Sequence, residues 1–217
     1  MKYEHLKPQD DFVYTEIFEW NVYQVQPNEI ANANILDIGG HYGMFDLYCR
    51  DLGAKQIITV EANPNNFVTL LKNTKDIFNL KAINAAVTTK TGDFINISDK
   101  GCQSRINEGE LKVSTVSLTD VVNWFPDNED IVLKMDIEGA EYPLFLNTPS
   151  FVFRRFNKIY IELHDESVAG PGNKISMLDN YIKSLGFNCD WEGRFFTNEA
   201  AGKVSNNDIG VFKYTRI

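Results

Sequence analysis

Cysteine is scarce in this chain. Cys49, Cys102 and Cys189 are the three among 217 residues, they stand far apart, and no Cys-x-x-Cys pair exists. A disulfide framework and a thiolate zinc site are both disfavoured. Long apolar runs are missing too, since nothing approaches the ~20 residues of a membrane helix. The N-terminal MKYEHLKPQDDF lacks the apolar segment of a secretory signal, so a cytoplasmic location without a membrane partner is expected. Positive charge is in deficit, with 21 Lys and Arg against 30 Asp and Glu and a formal net charge of −9. Duplex-binding surfaces carry basic patches, so no nucleic-acid partner is expected. Internal repeats, low-complexity tracts and Pro/Gly-rich linkers are absent as well.

What is there is a chain 43% hydrophobic and 24% charged, ordinary for a globular protein and long enough for a sizeable core. From Ala33 onward, short apolar runs alternate with amphipathic stretches. Segments 34–39, 56–62, 81–87, 131–137 and 158–164 read as strands, and 43–52, 64–77 and 175–186 as helices. Phe67, Leu70, Leu71 and Ile77 supply the helical spacing of the second of these helices. Between 92 and 117 the pattern loosens into β pieces at 93–98 and 112–117, followed by a short helix at 119–124. The last segments, 187–193 and 209–215, read as a hairpin. Such alternation predicts an α/β fold: a mostly parallel, Rossmann-like sheet with helices on both faces and an antiparallel strand in the C-terminal hairpin. Residues 1–32 form an N-terminal extension, with FVYTEIFEWNVY (12–23) a helix or hairpin packed as a lid on the domain of residues 33–217.

In open α/β sheets, ligands bind beyond the carboxyl ends of the strands. After the first strand, DIGGHYGMF (37–45) places glycines at 39, 40 and 43, which permit a tight strand-to-helix turn and close approach of a ligand to the backbone. Ile38 stands where a dinucleotide G-x-G-x-x-G needs glycine, which weakens a nicotinamide dehydrogenase. Glu61 ends the second strand, where a carboxylate can accept hydrogen bonds from both hydroxyls of a ribose. Asp37 precedes the glycines and either orders the loop or faces a positive ligand. An adenosyl group carrying a sulfonium and an amino-acid tail suits this set better than pyrophosphate does, which points to S-adenosylmethionine.

The segments ILDIGGHYGMF (35–45), VEANP (60–64), NAAV (84–87), LKMDIEGAE (133–141) and IYIELH (159–164) together resemble class I methyltransferases, and more closely the FkbM family of S-adenosylmethionine-dependent methyltransferases. K-x-D-x-E-G-x-E is the most specific of these motifs. The chain departs from the family at Gly39-Gly40-His41, where Gly-Ala-Asn is more usual, and at Glu61-Ala62, where Glu-Pro is. The resemblance implies a class I methyltransferase sheet. It places Asp37, Gly39 and Gly43 around the methionine part of S-adenosylmethionine, with Gly40 and His41 in the same loop. Glu61 would hold the ribose beside Ala62 and Asn63, while Ala85 and Ala86, after Asn84, would border the adenine and Asp136 would sit near the transferred methyl. It also implies a hydroxyl on a small molecule or glycan as the acceptor.

Alternate side chains of a strand share a face, so Lys134, Asp136 and Glu138 are expected together, with Lys134 deeper and neutralising part of the acid cluster. Gly139 would turn the chain, and Glu141 would open the next helix against its dipole. Glu162 and His164 share a face of the fifth strand. Asp136, Glu138 and His164 are the candidate catalytic residues, with a near-neutral His164 as general base on the attacking hydroxyl. Two plainer readings stand beside this one: His164 bonded to Asp165 at a strand end, and Glu138 and Glu141 capping a helix. Asp136, Glu138, Glu162 and His164 also offer oxygen and nitrogen ligands to Mg²⁺, and spacing does not separate that from a metal-free base. Two other functions compete. A nucleic-acid methyltransferase is opposed by DIEG standing where N/D-P-P-Y/F would be expected, and an inactive cofactor-binding scaffold by the retained charges.

Overall fold

All five residues of β1 (Asn34–Ile38) and of β7 (Ile131–Met135) are buried, as expected of strands covered on both faces rather than one. They are central neighbours in the sheet. The computed structural model describes residues 3, 6, 12–99, 109–194 and 209–217. Cys102, His5 and the expected loop 198–208 lie outside the described residues. The main sheet also contains β2 (Gln56–Glu61), β3 (Leu80–Asn84), β8 (Phe156–His164), β9 (Phe187–Arg194) and β10 (Ile209–Arg216). Its order is β3-β2-β1-β7-β8-β10-β9. The first five strands run parallel, and β10 is antiparallel to both β8 and β9.

Period-two alternation sorts the core into two layers. Leu36, Ile58, Leu133, Ile159 and Ile161 face one cluster, packed with Val121 of α4 (Leu118–Val122), Phe145 of α5 (Glu141–Asn147), Phe153 of α6 (Ser150–Phe153) and Ile182 of α8 (Ile175–Ser184). Ile35, Ile57, Val132 and Tyr160 face the other, with Ile30 of α1 (Pro27–Ile30) and Phe45 and Leu47 of α2 (Met44–Asp51). Each large apolar side chain so buried contributes about 1.5–3 kcal/mol. The second layer also includes Tyr14, Ile17 and Tyr23, so this part of the 1–32 stretch is built into the core.

Two local expectations are corrected and a third is narrowed. Segment 81–87 is two strands, because the chain leaves the main sheet after Asn84: β4 (Ala86–Thr88) pairs instead with β6 (Leu111–Ser117) in a three-stranded sheet completed by β5 (Phe94–Ile97). The helix α3 (Pro64–Thr74) stops short of Ile77, and Leu71 is exposed while Leu70 is buried. Of the two alternatives for the 12–23 stretch, the helix is the one formed, of π rather than α type. It spans Thr15–Trp20, stopped by Asn21 at φ 47°. Among the described residues, no helix is long and apolar enough to cross a membrane.

Candidate active site

Strand order reverses between β1 and β7, since β2 and β3 lie to one side and β8 to the other. That junction is where open α/β sheets bind ligands. A cavity opens there, lined by Gly39, Gly40 and His41 after β1, by Glu61, Ala62 and Asn63 after β2, and by Ala85 and Ala86 between β3 and β4. Lys134, Asp136 and Glu138 line it from β7 and the turn that follows, and Glu162 from β8. Its remaining wall includes Val13, Glu16, Ile17 and Tyr23 from the N-terminal stretch. The structure therefore gathers most of the sequence-derived set. Asp37, Gly43 and His164 stand just behind the lining.

Sequence explains each support locally. Gly39 takes φ 84°, and a Cβ there would run into the Asp136 carbonyl, so only glycine fits where the two loops cross. Gly39 and Gly40 donate to the Val60 carbonyl at 2.9 and 3.3 Å, and Asp136 N–H donates to Ile38 at 3.1 Å. The Glu61 carboxylate accepts from His41 N–H and from Asn63 N–H, each at 2.8 Å, which ties the β1 and β2 loops together. The carboxylate lines the cavity and keeps accepting capacity for a ligand hydroxyl. Asn63 caps α3 by accepting from Asn65 N–H at 2.8 Å, with Pro64 at the first helical position. Asn84 faces away from the cavity, donating to the carbonyls of Glu61 and Ala62 at 2.8 and 3.1 Å.

The charges beneath follow from register. Asp37 lies directly across from Lys134 on β1 and β7. Lys134 Nζ sits 3.3 Å from Asp37 and donates to the Gly39 carbonyl at 2.8 Å. Burial pulls the Lys134 pKa down, but Asp37 and Asp136 outweigh it and leave it raised. Burial raises Asp37, against Lys134. A second buried acid, Asp46 on α2, is pushed well up by burial and then by Asp37. Nothing in the sequence pattern marked it, because its neighbours are contributed by β1 and β7.

β7 ends at Met135, so Asp136 and Glu138 occupy a turn, with Glu138 at φ 54° and Gly139 at φ 97°. β8 runs on to His164, which is fully buried. His164 Nδ1 faces Glu141 Oε1 at 3.2 Å, and Nε2 lies 3.3 Å from Glu162 and 3.6 Å from Glu138. Its side-chain partners are thus Glu141 and, on the other nitrogen, Glu162 and Glu138, rather than Asp165. Burial lowers the His164 pKa, but Glu141, then Glu162, carry it well above the ordinary value, in contrast to the near-neutral titration expected from sequence. Burial and then Glu162 push Asp136 well up. Glu141 also accepts from Ile137 N–H at 3.1 Å, closing the turn. Tyr23 was missed; burial, then Asp136 and Glu162, raise its phenol. Its only sequence signal was membership of an aromatic-rich stretch with acids.

The sequence model of the methyltransferase FkbM domain matches residues 37–189. This chain belongs to the FkbM methyltransferase family. No curated protein matches it. Among solved structures, the methyltransferase is similar to Aeropyrum pernix fibrillarin with natively bound S-adenosyl-L-methionine: 12% identity, 90% of this chain and 76% of that one, TM-score 0.54. It is also similar to magnesium protoporphyrin IX methyltransferase from Synechocystis with bound S-adenosylmethionine (9%, 94% and 78%, 0.51). TrmK of M. capricolum, in complex with S-adenosylhomocysteine, is a third (12%, 88% and 67%, 0.51). At these identities the likeness is one of fold. The cofactor of this methyltransferase is S-adenosylmethionine, and the cavity residues fit it. The loop at Gly39 leaves no space for a side chain, and the Glu61 carboxylate lines the cavity at the end of β2.

Proposed function

We propose that this methyltransferase acts on a hydroxyl of a small molecule or glycan. The observation that carries the reading is that Asp136 and Glu138 open onto the same cavity as the glycine loop and Glu61, with His164 directly behind them. S-adenosylmethionine supplies an electrophilic methyl on sulfur. In this reading Glu61 accepts from the ribose hydroxyls, Ala62 and Asn63 flank them, and Ala85 and Ala86 form the adenine wall. Gly39, Gly40 and His41 border the methionine portion. Asp37 and Gly43 act from beneath, Asp37 through Lys134 and Gly43 by starting α2 at φ 80°. Asp136, Glu138 and His164 ease removal of the hydroxyl proton as the oxygen attacks, an effect worth about 10²–10⁴-fold in such sites.

The acceptor wall supports the substrate class. Glu16, Glu138 and Glu162 line the cavity, so a polyanion would be repelled, which favours a neutral hydroxyl compound over nucleic acid. The N-terminal stretch from residue 12 onward serves as the lid, through Val13, Ile17 and Tyr23. Calorimetry with S-adenosylhomocysteine should give saturable binding, and a screen of sugar and small-molecule hydroxyls should give transfer. Glu138→Gln and His164→Ala should lower kcat about 10²-fold while leaving product binding intact. Undiminished turnover in the folded variants would remove these residues from the chemistry. Transfer to RNA but not to sugars would replace the acceptor.

A further inference from the structure

Four ligand-bearing side chains converge at the floor of the cavity. One ligand atom each from Asp136, Glu138 and His164 lies within 4.8 Å of the other two. His164 Nε2 is buried and makes no well-formed hydrogen bond, and it faces Glu162 Oε1 at 3.3 Å and Glu138 Oε2 at 3.6 Å; these carboxylates favour a proton on the ring, whose place a bound cation would take. Asp136 Oδ1 is likewise buried without a hydrogen-bond partner. A cation between these atoms would satisfy the carboxylates and the ring nitrogen together. Ligands about 2.0–2.5 Å from a hard cation lie roughly 3–5 Å from each other, so this spread matches an ion between them. The other nitrogen of His164 is held by Glu141 at 3.2 Å, as a carboxylate fixes the ring of a metal-bound histidine.

We propose that Asp136, Glu138 and His164 bind a divalent cation of the Mg²⁺ or Mn²⁺ class. The donor set, carboxylate oxygen with a single imidazole and no thiolate, suits such ions rather than a soft one. Charge points the same way. Asp136, Glu138 and Glu162 meet here, while the nearby cation Lys134 is engaged with Asp37 and Gly39. The inference rests on the methyltransferase reading only for what the ion does. On the cavity side it would take the acceptor hydroxyl and make its proton easier to lose, the proton passing to the Glu162 carboxylate.

The test is Mn²⁺ titration of the native chain with S-adenosylhomocysteine bound, followed by the loss of the free-ion paramagnetic resonance signal. Saturation at one ion per chain, competed by Mg²⁺, is expected. Asp136→Asn, Glu138→Gln and His164→Gln should each weaken it about tenfold or more, while Asp127→Asn, on an exposed side chain, should not. Circular dichroism confirms that each variant is folded, and the native titration stands if one is not. No saturable Mn²⁺ binding by native protein that still binds S-adenosylhomocysteine overturns the cation site and leaves the methyltransferase reading in place. Unchanged Mn²⁺ affinity in all three folded variants overturns it too. Loss of S-adenosylhomocysteine binding by the native chain would instead strike the cofactor reading.

Discussion

Lys134 donates to the Gly39 carbonyl at 2.8 Å while standing 3.3 Å from Asp37, and both charged side chains are out of water. Removing the ammonium leaves a buried acid and the Gly39 carbonyl without that partner. Lys134→Met should therefore cost about 3 kcal/mol in urea unfolding, and adding Asp37→Asn should return part of it. A double variant no more stable than the single would show that the pair is not coupled. The sequence led us to expect Lys134 to neutralise the acids of its own strand. The dominant partner is across the ladder on β1, and period-two patterning says which face a residue takes without naming its neighbour. His164 teaches the same point, since its partner Glu141 is brought in by the turn at Glu138 and Gly139.

The active site depends on two loops that cross, one after β1 and one after β7. Gly39 meets the Asp136 carbonyl, and a Cβ on Gly139 would come 2.8 Å from Ala169 Cα in α7 (Glu166–Ala169). Both have φ in the left-handed region, where a side chain adds about 1–3 kcal/mol of strain. Gly39→Ala should abolish S-adenosylhomocysteine binding by calorimetry, because the loop must move off Asp136. Gly139→Ala should spare that binding and reduce turnover, because it displaces Glu138 instead. Equal effects on both measurements would refute this division. At this scale the sequence was largely legible: strands buried on both faces are continuous apolar runs, and the helix starts carry Pro64 and glycine. The failure at 81–87 has a physical cause. Asn84 commits its side chain to the Glu61 and Ala62 carbonyls, and the chain changes sheet at this polar residue, with β-compatible apolar residues on both sides of it.

Across the whole molecule, Glu29 ties the N-terminal stretch to the sheet. Its carboxylate receives Lys158 and Lys213 at 2.6 Å each, the Tyr160 hydroxyl and Gln26 N–H at 2.8 Å, joining α1 to β8 and β10. Burial raises its pKa, but these donors prevail and bring it from 4.5 to about 2. The unfolded carboxyl takes its proton near the ordinary value, so this stabilisation is complete above about pH 4.5 and is lost as pH falls toward about 2. Discounted for solvent screening, Glu29→Gln should cost about 1–2 kcal/mol at neutral pH. Its urea midpoint should also fall less steeply than that of the native chain between pH 4.5 and 2. Parallel curves would mean that Glu29 carries no such linkage.

The amino-acid order by itself determined the alternating α/β pattern, the glycine turn after β1, the acid at the end of β2 and the K-x-D-x-E-G-x-E run, because each follows from neighbours within a few residues. Tertiary structure alone decided that Asp37 pairs with Lys134, that His164 is enclosed by Glu138, Glu141 and Glu162, and that Tyr23 and Glu16 wall the cavity. Those contacts join residues far apart in the chain, and strand order and register, which local spacing does not encode, choose among the many pairings that the same sequence permits.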